Sequence, residues 1–481
     1  MQSQAPANNV IAPWARKVPL FFLVFFSGFA NLAIEVISPR LFSSLFGATT
    51  VIWAIIISVT LLGISLGYYL GGQISHRRAG PALPILLIVN AAWLLATSWI
   101  IWETPTYLAQ LGRTAIGLAA FVALFVPATI FGMVSPLVIT LLSANQPDAQ
   151  LSKTVGAVYA LGTLGSVLGA LTAAFYLIPW VGLSTSLRLF AVLLTLFSIY
   201  WSVRYYRIGA AAAVVICLIV PQPNYVWNDP ATLLTQREGY YDTIRVYTNG
   251  NTFVSFHLGP VYESEMNLQT HEPNYEYAIT MVELASQPPK QRVLVIGGAG
   301  HTISRALENR GAVVTEVEID PIVVEVSDEY FGPLRGDVVV QDGRAYVDNY
   351  QGEGFAYILI DAFSGLYSVP PHLATLEFFE SVSRILKPGG RMIYNFIGTP
   401  TGPRSNSFRA MSTTISAAFG DTRTASVLGD ADQNILFIAS PTEMVEASWP
   451  DAPTDGLLLT DDLNPIEIFF EQTRTGVDFR R

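Results

Sequence analysis

The 481-residue chain is long enough for two or three domains, and with 13% charged residues it is too apolar for an evenly soluble protein. Residues 1–220 hold three acids (Glu35, Glu103, Asp148) and ten bases, a net of +7, so the remaining 34 acids and 17 bases leave residues 221–481 at −17. The acidic half disfavours nucleic acid and anionic lipid headgroups as partners and suits a cationic small molecule, although solubility alone also accounts for net charge.

The first element is the apolar run Val18–Ile37. No cleavage-site pattern follows its charged start, so it reads as an anchor and not as a removed signal peptide. Further runs lie at about 51–72, 84–102, 115–143, 154–178 and 183–203. At about 1.5 Å per residue each is long enough to span a hydrocarbon core. A seventh run, Ile208–Val220, has thirteen residues, a length that suits a re-entrant or interfacial helix as well as a span. It carries Cys217, the only cysteine, which excludes an intrachain disulfide and a cysteine metal site.

Arg16, Lys17, Arg77, Arg78, Lys153, Arg204 and Arg207 fall on one side of these runs, and Arg40, Arg113 and Arg188 on the other. That bias puts the N-terminus in the cytoplasm of a cell (inner) membrane protein. Six spans return the chain to the cytoplasm, and a seventh would take it outside. Gly162, Gly165 and Gly169 share one helix face and predict close helix packing. Glu35, inside the first run, calls for a partner, and Arg40 five residues on is the nearest base.

From 221 turn residues mark a boundary. Residues 240–259 alternate apolar and polar around "TNGN", as a β-hairpin or small sheet does. Helical spacing follows at 274–285, then strand 293–297, a glycine loop, helix 302–310, strand 313–319, helix 321–330, strands 337–341 and 356–361, helix 373–386, the turn "KPGG" (387–390) and strand 391–397. This alternation predicts a Rossmann-like, doubly wound parallel sheet. The predicted domains are a transmembrane helical domain (1–220), a small β-domain (221–273) and an α/β domain (274–481).

Ligands of such sheets bind beyond the carboxyl ends of the strands. Gly297, Gly298 and Gly300 lie at one such end, Glu318 at the next, Asp342 and Gly343 after the third, and Asp361 after the fourth. Glu318 follows Gly298 by twenty residues, the distance at which a carboxylate accepts both ribose hydroxyls. The dinucleotide pattern lacks its third glycine, because Ile303 stands there, and no Gly-Lys-Ser/Thr follows to make a P-loop. A nucleoside without pyrophosphate fits better, with Asp342 as the adenine acceptor. The histidines (His76, His257, His271, His301, His372) form no metal-binding pair, so no metal is expected.

"VLVIGGAG", "VEID", "QDGRAY", "ILIDAF" and "LKPGG" fall in an order and spacing that resemble the polyamine aminopropyltransferases, the spermidine synthase family, which shares the class I methyltransferase fold. The resemblance runs from about Tyr240 to the C-terminus. The preceding helices and the terminal "LLLTDDLNP" (457–465) look like the family's membrane-fused branch. It implies decarboxylated S-adenosylmethionine as donor, held by Glu318, Asp342 and the glycine loop, and Asp361 as the group that aligns or deprotonates an attacking amine such as putrescine. It also implies that Tyr241 and Tyr275 flank the ligands. The nucleoside donor is cytosolic, so the acidic half is expected in the cytoplasm. The family is commonly dimeric, which admits a homodimer here.

Several positions depart from the family. Its loop usually reads Gly-Gly-Gly-Asp-Gly-Gly, and the Asp that binds the donor amine is Gly300 here. Its second acid, three residues after the catalytic one, is Ser364. Its usual Gln is Asp242, and its Tyr-His/Gln-Glu acid is Tyr277, with Glu276 one place earlier. Asp242 and Glu276 are candidate replacements at the acceptor end. Two other readings stay open: an S-adenosylmethionine-dependent methyltransferase on the same fold, and a non-catalytic module that senses polyamine or nucleoside beside a transport or assembly bundle.

Overall fold

A computed structural model describes residues 17–46, 50–103, 118–143, 148–205, 231–259, 261–286, 288–363, 368–402, 404–420, 422–426, 433–442 and 450–475. The chain divides into two compact units, with the main division between Tyr225 and Val226.

The N-terminal unit is helical. Its α-helices are α1 (Val18–Phe46), α2 (Thr50–Gly72), α3 (His76–Glu103), α4 (Val126–Ser143), α5 (Asp148–Thr172) and α6 (Leu183–Tyr205). Among the described residues six stretches are long and apolar enough to cross a membrane: Val18–Pro39, Ile52–Gly72, His76–Thr97, Leu118–Ser143, Gln150–Ile178 and Thr185–Ser202. They coincide with the six runs read from sequence. The predicted glycine face packs α5 against α1, where a Cβ at Gly165 or Gly169 would collide with the carbonyl of Phe25 or Phe29. Run Ile208–Val220 and the Arg40 side chain lie outside the described residues.

The C-terminal unit contains two sheets. The first is an antiparallel meander of β1 (Thr232–Glu238), β2 (Thr243–Thr248), β3 (Phe253–Leu258) and β4 (Val261–Asn267). Asn249 tightens the β2–β3 turn by accepting from the N–H groups of Thr252 and Phe253. One face of this sheet buries Ile244, Val246, Val254 and Phe256 against Val323, Val326 and Phe331 of a helix from the second layer. The meander therefore shares a core with the α/β layers that follow.

The second sheet has seven strands in the order β10-β11-β9-β8-β5-β6-β7. They are β5 (Arg292–Ile296), β6 (Val313–Glu318), β7 (Asp337–Val340), β8 (Phe355–Ile360), β9 (Leu386–Gly398), β10 (Thr422–Ser426) and β11 (Gln433–Ala439). The helices are α7 (Glu276–Ala285), α8 (Thr302–Asn309), α9 (Pro321–Phe331), α10 (Gly343–Asn349), α11 (Leu376–Arg384), α12 (Asn406–Phe419) and α13 (Ile466–Thr475). Strands β5 to β9 are parallel. The fully parallel expectation is corrected at one edge, because β10 and β11 form an antiparallel hairpin beside β9.

Two local expectations also change. "KPGG" is not a turn between elements but part of β9, where the pairing with β8 jumps from Phe355↔Leu386 to Tyr357↔Arg391. The inserted residues bulge out, with Gly389 at φ +73°. Between β7 and β8 sits α10, which the sequence reading passed over. It has only seven residues and is capped by Asp342, whose carboxylate accepts from Ala345 N–H at 2.8 Å.

Candidate active site

From β5 the chain runs outward through β6 to β7, then returns to the other flank of β5 as β8. The reversal opens a crevice beyond the carboxyl ends of β5 and β8. A cavity of about 360 Å³ lies there. Gly297 follows β5 with φ +93°, and a Cβ there would strike the carbonyl of Asp361, so glycine brings the loop and the end of β8 together.

Six carboxylates line the cavity: Asp242, Glu263, Glu318, Asp320, Asp342 and Asp361. Among the described residues no lysine or arginine lines it, and His372 is its one histidine. Such a wall favours a cation.

Glu318 is held from the backbone. It accepts from Gly298 N–H and from Asp320 N–H, each at 3.0 Å. The twenty-residue spacing is therefore a direct hydrogen bond between loop and strand end. Burial nevertheless pushes its carboxyl up to about 7, against the lowering effect of those N–H groups. Asp342 caps α10 with one oxygen, and its other oxygen meets His372 Nε2 at 2.9 Å. Asp320 caps α9 and also accepts from Tyr240 and Tyr241 N–H, which fixes the turn carrying Tyr241 and Asp242 over the cavity.

Asp361 has a different setting. Asn395 on β9 donates to it at 2.8 Å, and Asn434 on β11 orients Asn395 at 3.0 Å. Tyr277 O–H donates to its other oxygen at 3.4 Å. Burial raises the Asp361 carboxyl to about 6, and both hydrogen bonds oppose the rise. Glu263 on β4 is more perturbed. It is open to the cavity yet surrounded by protein, and burial with the charges of Asp361, Asp242 and Glu318 pushes it up to about 8.

Of the residues singled out from sequence, Gly297, Gly298, Glu318, Asp342, Gly343, Asp361, Tyr241 and Asp242 line this cavity. Gly300, Tyr275 and Glu276 do not. Gly300 is buried behind the loop, where its N–H donates to Ser327. Tyr275 precedes α7 and stacks on Tyr277 at 6.1 Å, and Glu276 is exposed on the first turn of that helix. Ser364 lies outside the described residues.

Glu263, Tyr277, Asn395 and His372 were missed as site residues. The first three belong to elements other than the glycine-loop crossover, and no spacing rule ties them to it. Beneath the loop, buried His301 meets Glu316 at 2.6 Å and Asp328 at 3.2 Å, and Ser304 also donates to Glu316. The net effect of these acids raises the His301 pKa although burial, the largest influence, lowers it. This buried pair braces the loop from below.

The sheet order, with a carboxylate ending the strand after the glycine loop, defines a Rossmann-like α/β unit whose crevice lies at the carboxyl ends of its strands. Residues 272–423 match the family model of the spermine/spermidine synthase domain, and the chain therefore carries a domain of that family. A polyamine aminopropyltransferase of Vibrio vulnificus is 32% identical over 128 residues, which cover 25% of this chain and 42% of that protein. Spermidine synthase 1 of Hyoscyamus niger is 31% identical over 156 residues, 30% of this chain and 49% of that protein. An N-terminal histidine N-methyltransferase of Emericella nidulans is 33% identical over 130 residues, 25% of this chain and 23% of that protein. The chain thus spans less than half the length of these relatives. Among solved structures, a probable spermidine synthase from Corynebacterium glutamicum is similar at 21% identity and a TM-score of 0.40, covering 44% of this chain and 82% of that one.

Proposed function

We propose that the protein is a membrane-anchored aminopropyltransferase, which moves an aminopropyl group from decarboxylated S-adenosylmethionine to an amine such as putrescine. The observation that carries this reading is the cavity wall, which among the described residues holds six carboxylates and no lysine or arginine. Decarboxylated S-adenosylmethionine has a sulfonium, an ammonium and no carboxylate, so it meets only attraction there. S-adenosylmethionine keeps a carboxylate, which this wall would repel.

In this reading Glu318 accepts the ribose hydroxyls, Asp342 faces the adenine amine, and Gly297 and Gly298 let the nucleoside approach the backbone. The acceptor nitrogen lies beside Asp361, with Tyr241 and Asp242 over the opening. A protonated amine cannot attack. Asp361, raised to about 6, is ionised at neutral pH and can take the ammonium proton, which frees the nitrogen lone pair before the new bond forms. The nitrogen lone pair forms a C–N bond to the aminopropyl carbon. The C–S bond breaks, and its electron pair stays on sulfur as neutral methylthioadenosine. Sulfonium leaves readily, so positioning supplies most of the rate.

The six apolar helices would anchor the chain in the bilayer. They turn large apolar side chains such as Phe22, Leu61, Leu62, Phe175 and Trp180 outward, which suits lipid and not water. The basic-residue bias supports a cytoplasmic N-terminus, and a cytosolic donor supports the same side for the C-terminal unit. A product assay on the detergent-purified chain tests the reaction. With decarboxylated S-adenosylmethionine and putrescine, methylthioadenosine is expected. S-adenosylhomocysteine from S-adenosylmethionine, without methylthioadenosine, would make it a methyltransferase, and nucleoside binding without either product would make it a sensing module.

A further inference from the structure

A donor bound in this way brings an ammonium to the glycine loop, and position 300 has no side chain to receive it. The backbone excludes one. Gly300 has φ +71°, and a Cβ would lie 2.6 Å from Ser264 Oγ and 3.0 Å from the Phe331 ring. Ser264 fills the space and donates to Ala299 O at 2.7 Å. Its chain neighbour Glu263 lines the main cavity and also a smaller pocket under the loop, with Gly297, Gly298, Ala299 and Asp361. Among the described residues no donor meets the Glu263 carboxylate, since Tyr277 O–H reaches only its carbonyl. The ionisable groups around it are Asp361 from β8, Glu318 from β6, Asp242 from the β1–β2 turn, and Tyr277 and Tyr275 from α7, and His301 and Glu316 also line the smaller pocket. His301 is the one potential cation among them, and it is already held by Glu316 and Asp328. Glu263 also lies before the stretch that matches the family domain, residues 272–423.

We infer that Glu263 is the ammonium-binding carboxylate of this cavity, standing in for the side chain that position 300 lacks, and so selects an adenosyl sulfonium with a free aminopropyl ammonium. The inference rests on the donor reading above. Raised to about 8, Glu263 carries a proton at pH 7 until a cation arrives. Donor binding below that pH therefore releases a proton, and affinity for the donor rises as pH approaches 8. Methylthioadenosine, with the same nucleoside and no ammonium, lacks that step.

The test is calorimetric titration of the full detergent-solubilised chain and its Glu263→Gln variant, each with decarboxylated S-adenosylmethionine and with methylthioadenosine, at pH 6.5 and 8.5. Glu318 and Asp361 titrate in both proteins, so only the pH step lost on substitution belongs to Glu263. Glu263→Gln is expected to weaken the cationic donor by roughly 10- to 100-fold at pH 8.5, the loss expected for one charged hydrogen bond. It should also shrink the pH step and leave methylthioadenosine within about 3-fold, inside the spread of a single weak contact. Glu263→Asp should recover part of the loss. Equal weakening of both ligands, or an unchanged donor affinity and pH step, overturns the inference and leaves the donor reading standing. Failure of the wild-type chain to bind either nucleoside removes both.

Discussion

The two ends of the cavity hold carboxylates in opposite ways. At the nucleoside end Glu318 and Asp342 are fixed by backbone N–H groups, two on Glu318 and the Ala345 N–H on Asp342. At the amine end Asp361 has only side-chain donors, and Glu263 has none among the described residues. A carboxylate set by the backbone is a preorganised acceptor for neutral hydroxyl and amine groups. Burial costs both kinds, but at Glu318 backbone N–H groups offset part of that cost, whereas one that lacks such donors leaves it for a cation to relieve. On the proposed reading the same residue type accepts a ribose at one end and binds charge at the other.

The sharpest way to break that comparison is Asp361→Asn. Removing a positioned base should lower turnover by roughly 100-fold or more while nucleoside affinity stays nearly unchanged. Single-turnover release of methylthioadenosine measures the first and titration the second. Retained turnover would remove Asp361 from its role. Glu318→Gln should act at the other end alone. It should weaken every adenosyl ligand by roughly 10- to 100-fold, whether or not an ammonium is present. If only amine-bearing ligands suffered, the division between the two ends would be wrong.

A smaller effect is a matter of pH. Glu263, Glu318 and Asp361 are raised to about 8, 7 and 6 in the folded chain, above their ordinary values near 4. Between those limits the folded state binds more protons than the unfolded one, so stability is greatest in mild acid and falls as pH rises through 6 to 8. The apparent melting temperature of the ligand-free protein should decline from pH 5 to 8.5. A saturating cationic donor should flatten that decline, and a rise with pH would contradict the assignment. The smallest effect is expected for His372→Ala. The imidazole is exposed and meets only one oxygen of Asp342, so donor affinity should change by no more than about 3-fold.

The crossover from β5 to β6 was legible in sequence because its parts are local. An apolar strand, two loop glycines and an acid twenty residues on meet in one hydrogen bond between Gly298 and Glu318. Asp361 was legible for the same reason, as an acid ending an apolar strand. Glu263 was not. It lies on β4, ninety-eight residues before Asp361, and only the docking of the meander on α9 brings it under the loop. The prominence given to Glu276 had a similar origin. A family motif fixed its register, but the first turn of α7 points it to solvent and turns Tyr277 toward Asp361. The hairpin at the sheet edge and the bulge at "KPGG" were missed because strand direction and register come from partners distant in sequence.

Competition between two donors reaches the centre of this account. Decarboxylated S-adenosylmethionine and S-adenosylmethionine differ only in one carboxylate, and the cavity is walled by six of them. Titrated into the full-length protein at pH 8, the decarboxylated donor is expected to bind at least about 10-fold more tightly, the cost of one like-charge contact near a protein surface. Equal affinity, or tighter binding of S-adenosylmethionine, would contradict the aminopropyl assignment and return the site to methyl transfer.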